Sequence, residues 1–151
     1  MKTLLIVYHT GGVKTATMAE AVERGARTET GVNVIVKRCA EAGPGDVLAA
    51  DGLILGTPEN FGYMSGMMKD FLERVFYACE GKVNGRPYAL FVGAGQDGTG
   101  AVTSVERIVL GLRLRKVHDP IIGLKELNPD ILSSCEALGA ALAAGLAMGV
   151  F

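Results

Sequence analysis

The alternation of short apolar runs with helical patterns constrains the fold of this chain more than any other feature. Mainly apolar runs that predict strands lie at residues 3–8, 32–37, 52–56, 88–93 and 117–123. Helical patterns lie between them at 15–28, 46–50, 67–79 and 102–114, and a last helix is expected after Asn128, with Pro129 at its first position. Such alternation is typical of a parallel sheet covered on both faces. We therefore expect one α/β domain over residues 1–151, a three-layer sandwich with a five-stranded parallel sheet of order 2-1-3-4-5.

In a sheet of this order, ligands bind beyond the carboxyl ends of strands one, three and four. The loop after the first strand spans residues 9–15 and combines two glycines, two threonines and Lys14. Its backbone N–H groups and the following helix dipole predict a site for a phosphate monoester, although a simply capped helix start is the alternative. The loop is not a triphosphate-binding motif, because Lys14 follows Val13 rather than glycine.

The loop after the third strand, residues 56–66, contains three glycines, one proline and two aromatic residues. Pro58 is expected to bend the chain away from the strand, and Ser65 is expected to cap the helix at 67–79. Glycines allow close approach of a ligand to the backbone, so the loop favours a flat ligand stacked on an aromatic ring. An ordinary strand-to-helix loop is the alternative.

The loop after the fourth strand, residues 93–100, satisfies G-x-G-x-x-G, and Asp119 lies about twenty residues further on. We discount a dinucleotide fingerprint because the motif follows the fourth strand rather than the first, and Asp119 precedes Pro120 inside a predicted strand. A plain glycine-rich turn remains an alternative.

The sequence from Thr57 to Gly66, TPENFGYMSG, is followed by Lys69 and Phe71-Leu72. It resembles the flavin-ring loop of the flavodoxin-like FMN reductases, and more narrowly the NAD(P)H:quinone oxidoreductases of the tryptophan-repressor-binding-protein type. The resemblance implies that the first loop grips the FMN phosphate, the second faces the flavin ring and the third lines its pyrimidine and ribityl side. The cofactor-binding residues implied are Thr10, Gly11, Gly12, Val13, Lys14, Thr15, Pro58, Glu59, Asn60, Phe61, Gly62, Gly93, Ala94, Gly95, Gln96, Asp97 and Gly98.

The implied activity is an NAD(P)H-dependent reduction of quinones or free flavin, with hydride passing through FMN and either NADPH or NADH as donor. The family usually has glycine where this chain has Val13, which bears on the shape of the phosphate loop. Two other functions stay open: a flavodoxin-type electron carrier, and a binding or regulatory domain that has lost its flavin. Flavodoxins are usually strongly acidic, so a net charge of −1 favours the reductase.

Catalysis by side chains has little support. The chain has only two histidines, His9 and His118, and it lacks a Gly-x-Ser-x-Gly nucleophile motif. Glu59 is a candidate to meet the polar edge of the ring. A phospho-acceptor receiver domain is excluded, because the positions after strands one and three carry no carboxylate to hold Mg²⁺. The chemistry is therefore expected to lie in the cofactor.

Composition and charge limit the classes of binding partner and the cellular location that we expect. The charge balance and the lack of a basic stripe exclude nucleic acid. Three widely spaced cysteines, without metal-ligand spacing, indicate reduced thiols in a cytoplasmic protein. The chain begins directly with a strand, so no signal peptide is expected. The uncharged run at 137–151 is shorter than the roughly 20 residues that span a bilayer, so a buried helix is expected instead. The chain is shorter than the quinone oxidoreductases it resembles, and a homodimer or homotetramer is the expected assembly.

Overall fold

The computed structural model describes all 151 residues. The elements, in chain order, are β1 Lys2–Tyr8, α1 Lys14–Ala26, β2 Val32–Arg38, α2 Pro44–Ala49, β3 Gly52–Asn60, β4 Tyr63–Met64, α3 Gly66–Cys79, β5 Pro87–Ala94, α4 Thr99–Gly111, β6 Arg115–Lys116, β7 Ile121–Leu124 and α5 Pro129–Met148.

The main sheet is parallel and has the order β2-β1-β3-β5, with β6 and β7 both paired to the outer edge of β5. Strand β4 lies off this path and pairs only with β3. If β6 and β7 are counted as one interrupted strand and β4 is left out, the order is the predicted 2-1-3-4-5. The predicted fold class is therefore confirmed.

Two hydrophobic clusters lie on opposite faces of the sheet. Helices α1 and α5 pack on one face, against side chains such as Leu4, Ile54 and Phe91. Helices α2, α3 and α4 pack on the other face, against side chains such as Leu5 and Leu90. Neighbouring residues of one strand thus enter different clusters, and because both faces are buried the strands read as apolar runs.

Helix α5 packs so closely on α1 that two glycines are required at the contact. A Cβ on Gly25 would collide with the backbone carbonyl of Glu136, and a Cβ on Gly139 with that of Val22. By length and composition α5 is the one helix long and apolar enough to cross a membrane. In this fold one side of the helix packs in the core, with Leu138 and Leu142 fully buried against α1 and the sheet.

The last strand differs from the prediction of one strand at 117–123. It is split, because β6 ends at Lys116 and β7 begins at Ile121. Pro120 has no N–H to offer the ladder with β5, and the Nδ1 of His118 lies 2.8 Å from the carbonyl oxygen of Asp119. The predicted cap of the last helix is confirmed, since Asn128 Oδ1 accepts a hydrogen bond from Ile131 N at 2.9 Å.

Candidate functional site

The carboxyl ends of β1, β3 and β5 lie side by side, because these strands are neighbours in the sheet. Tyr8 is in register with Gly56, and Pro58 with Gly93. The three loops singled out in the sequence therefore leave the same edge of the sheet. Lys14 links the first to the third directly, since its Nζ donates to the carbonyl oxygen of Ala94 at 2.7 Å.

The first loop presents unused backbone donors to an open surface. The first intrahelical bond of α1 runs from Thr17 N to Val13 O at 2.9 Å, so the preceding N–H groups have no partner within the helix. A Cβ added to Gly11 or Gly12 would meet no atom within 4 Å. The side chain of Val13 is 79% exposed and does not fill the loop. Free donors at a helix N-terminus favour an anion.

The base of this loop is packed and carries one cation. Thr15 is buried, and its Oγ1 would lie only 2.7 Å from a Cβ added to Gly93, so the glycine allows α1 to approach β5. Burial lowers the pKa of the Lys14 ammonium from its ordinary value, because desolvation disfavours the charged form. Thr10 Oγ1 donates to Gly12 O at 2.6 Å and fixes the tip of the loop.

The second loop contains a β-hairpin, which we did not predict. Strand β3 continues straight through Pro58 to Asn60, and β4 returns antiparallel to it, so the predicted bend at Pro58 is wrong. The fixed φ of proline is compatible with an extended strand. The turn consists of Phe61 and Gly62, whose φ values of 55° and 68° are both positive, as a two-residue type I′ hairpin turn requires.

Three hydroxyl groups fix the hairpin to the body of the domain. Thr57 Oγ1 accepts a hydrogen bond from Ser65 N at 3.0 Å, and Ser104 Oγ accepts one from Met64 N at 3.0 Å. Ser65 Oγ accepts from Met68 N at 3.2 Å, which confirms the predicted cap of α3. The positioning roles of Thr57 and Ser104 were missed, because nothing local in the sequence indicates the partner of either hydroxyl.

Glu59 joins the second loop to the third. Its Oε1 accepts a hydrogen bond from Gly98 N at 3.2 Å, and its Oε2 accepts one from Ala101 N at 3.1 Å. The carboxylate thus caps α4, whose own N-cap residue, Gly98, has no side chain to do so. The sequence had placed Glu59 at the polar edge of a bound ring; the structure shows its capping role, and the contact with a cofactor stays a prediction.

The third loop is short and held by its own acidic residue. Asp97 Oδ1 accepts from both the backbone N–H and the hydroxyl of Thr99, and these hydrogen bonds lower the pKa of the Asp97 carboxyl. Gly95 and Gln96 are exposed, and a Cβ on Gly95 would meet open space. This leaves the backbone of the loop accessible to a ligand that lies beside β5.

The hairpin carries exposed aromatic side chains at its tip. Phe61 is fully exposed, and Tyr63 is 44% exposed. A solvent-exposed phenylalanine in a left-handed backbone conformation contributes no burial and is strained, a combination typical of ligand-binding positions. The structure thus brings the predicted residues of all three loops to one edge of the sheet.

Comparisons with known proteins agree with this arrangement. Residues 28–124 match the model of the NADPH-dependent FMN reductase family, a region that includes the second and third loops. An NAD(P)H dehydrogenase (quinone) from Acidithiobacillus ferrooxidans is 32% identical over 93% of this chain and 82% of its own length. A flavodoxin from Aquifex aeolicus is 39% identical over 66% of this chain, a match that spans only 54% of that flavodoxin.

A solved structure shows the same fold over the whole chain. The WrbA-like flavodoxin from Agrobacterium tumefaciens superposes with a TM-score of 0.79 at 22% identity, and the match covers 99% of each chain. Likeness at this identity concerns the fold alone. The family match and the relative at 32% identity go further, and the chain belongs to the NADPH-dependent FMN reductase family of flavodoxin-like proteins.

Proposed function

We propose that the chain binds FMN at the three loops and acts as an NAD(P)H-dependent oxidoreductase. One observation carries the proposal: unused N–H groups at the start of α1 and a fully exposed Phe61 lie at the same edge of the sheet. The free N–H groups fit a phosphate monoester, and the exposed aromatic ring fits one face of a flat heterocycle. The residues present therefore fit FMN.

The proposed roles follow the three loops. The residues around the phosphate are Thr10, Gly11, Gly12, Val13, Lys14 and Thr15. Those at the ring are Pro58, Glu59, Asn60, Phe61 and Gly62, and those beside the pyrimidine and ribityl chain are Gly93, Ala94, Gly95, Gln96, Asp97 and Gly98. Bound FMN supplies hydride and electron transfer. The chain binds and orients it, and Lys14 holds a positive charge at the end of β5.

For the substrates, we propose NADPH or NADH as donor and a quinone or free flavin as acceptor. The family description and the quinone dehydrogenase relative support this choice. The protein is proposed to work in the cytoplasm, which fits three free, buried cysteines. A homodimer or homotetramer is the proposed assembly. The match to a flavodoxin at 39% identity supports a second candidate, an electron carrier without a small-molecule substrate.

An absorbance titration with FMN, followed by NADPH or NADH without oxygen, tests the proposal. We expect the flavin bands to shift on binding, to bleach on adding a nicotinamide nucleotide, and to return on adding a quinone. Binding without bleaching would support the electron carrier instead. If FMN does not bind at all, the proposal is wrong, and a domain that has lost its flavin becomes the better explanation.

A further inference from the structure

A groove runs between α3 and α4, starting at the outer side of the β3–β4 hairpin. It consists of two adjoining pockets that share Arg107 and Ile108. The pocket next to the hairpin has a volume of about 580 Å³ and a polar lining that includes Tyr63, Lys69 and Thr103. The next pocket has a volume of about 600 Å³ and a more apolar lining.

The middle of the groove carries a positively charged side chain that has no partner within the protein. Arg107 is exposed and forms neither a hydrogen bond nor an ion pair, whereas the neighbouring Glu106 pairs with Lys116 at 2.9 Å. Lys69 also lines the groove, but its ammonium lies 2.7 Å from Glu73 Oε1 and is largely balanced by it. Arg107 is therefore free to take a phosphate, for which the guanidinium geometry is well suited.

The far half of the groove presents aromatic surface. Two rim carbons of the Phe76 ring lie 3.0 Å from where a Cβ on Gly111 would be, so the absence of a side chain there lets the ring approach α4. Phe76 meets Tyr77 edge to face, with ring centroids 5.2 Å apart, and Tyr77 is 84% exposed. Such a surface suits a planar base, which gains from stacking and apolar contact.

The polar, charged and aromatic parts of the groove follow one another along α3. From Lys69 to Tyr77 the axis of α3 advances about 12 Å, at roughly 1.5 Å per residue. A polar end beside the hairpin, a free guanidinium in the middle and an aromatic end follow one another along this distance. The same order occurs in a nicotinamide nucleotide, whose phosphates lie between two rings.

We propose that this groove binds the adenosine-phosphate part of the NAD(P)H donor, with a phosphate on Arg107 and the base beside Phe76 and Tyr77. The inference rests on the proposed function, because that function requires the nucleotide. It adds a binding site that adjoins the second and third loops at Gly62 and Gly100 and extends away from them along α3 and α4. The nicotinamide end would then lie toward the hairpin.

The test is calorimetric titration of the oxidised, FMN-loaded protein with NADP⁺, which binds without reducing the flavin. Arg107→Gln is expected to raise the Kd for NADP⁺ at least about tenfold, since it removes a charge-assisted phosphate contact. The Kd for FMN is expected to stay within about twofold, because Arg107 lies outside the three loops. Arg27→Gln is the control: it removes an exposed guanidinium directly after α1, a helix that lies on the other face of the sheet.

Equal NADP⁺ affinities for wild type, R107Q and R27Q would contradict the proposed nucleotide site in the groove. The proposed function, FMN binding and reduction, would not be affected by that result. A chain that does not take FMN would contradict the proposed function instead. In that case NADP⁺ is titrated into the FMN-free protein: binding that R107Q weakens and R27Q preserves supports the groove, and absence of binding refutes it.

Discussion

Phe61 lowers the stability of the fold at its position in the hairpin turn. Its φ of 55° lies in the left-handed region, which costs a residue other than glycine roughly 1–2 kcal/mol, and its full exposure gives nothing in return. Asparagine is tolerated far better at this position of a hairpin turn. The proposed contact with FMN would account for a phenylalanine at this position.

We predict that Phe61→Asn stabilises the protein and at the same time weakens its binding of FMN. Relief of backbone strain is expected to raise the free energy of unfolding by about 0.5–1 kcal/mol. Loss of an aromatic contact is expected to cost about 0.5–1.5 kcal/mol of FMN affinity. Urea denaturation of the FMN-free protein and a fluorescence titration with FMN measure the two effects separately.

Phe61→Tyr is the control, because it keeps the ring and should leave FMN affinity close to that of wild type. If F61N binds FMN as well as wild type does, the ring of Phe61 does not contact the cofactor. The assignment of the hairpin tip to the flavin ring would then have to be abandoned.

At the scale of elements, the hairpin and α4 are positioned by each other. Gly62 of the turn lies directly against Gly100 in the first turn of α4, so that a Cβ on Gly100 would collide with the carbonyl oxygen of Gly62. Glu59 and Ser104 supply hydrogen bonds across the same contact. Displacement of either element would therefore move the second and third loops together.

Gly100→Ala is predicted to lower the free energy of unfolding by about 1–2 kcal/mol, since the clash outweighs the roughly 1 kcal/mol by which alanine is preferred in a helix. FMN affinity is expected to fall as well, because the turn with Phe61 has to move. Gly45→Ala is the control: Gly45 is an exposed residue at the start of α2, with open space around its Cα. A G100A protein as stable as G45A would show that the contact between hairpin and α4 is loose.

What could be predicted from the sequence depends on how local each signal is. The caps at Ser65 and Asn128 were predicted correctly, because a capping side chain and its partner N–H are three residues apart. The hairpin was missed, because Pro58 and Gly62 would look the same in a strand-to-helix loop. The contacts that decide between the two join Glu59 to residues 39 and 42 positions away, which no local pattern contains.

At the scale of the molecule, both hydrophobic clusters share the same strands. Within β3, Ile54 belongs to the cluster under α1 and α5, while Leu55 belongs to the cluster under α2, α3 and α4. Loss of packing on one face must therefore loosen the strands on which the other face depends. The single domain predicted over residues 1–151 should unfold in one cooperative transition.

We predict that Leu142→Ala in α5 and Phe71→Ala in α3 lower the same transition, although they lie on opposite faces. Both side chains are fully buried, so the expected losses are about 2–5 kcal/mol for Leu142 and about 3–5 kcal/mol for Phe71.

Urea denaturation is followed by far-UV circular dichroism, which reports all helices, and by tyrosine fluorescence, to which the buried Tyr88 of the α3 and α4 face contributes. Leu110→Ala, at a position 74% exposed, should change stability by no more than about 0.5 kcal/mol. In each variant the two signals should give the same midpoint, because the strands transmit the loss from one cluster to the other. Two separate transitions, or a midpoint that moves in one signal only, would show that the faces unfold independently and that the chain is not one cooperative domain.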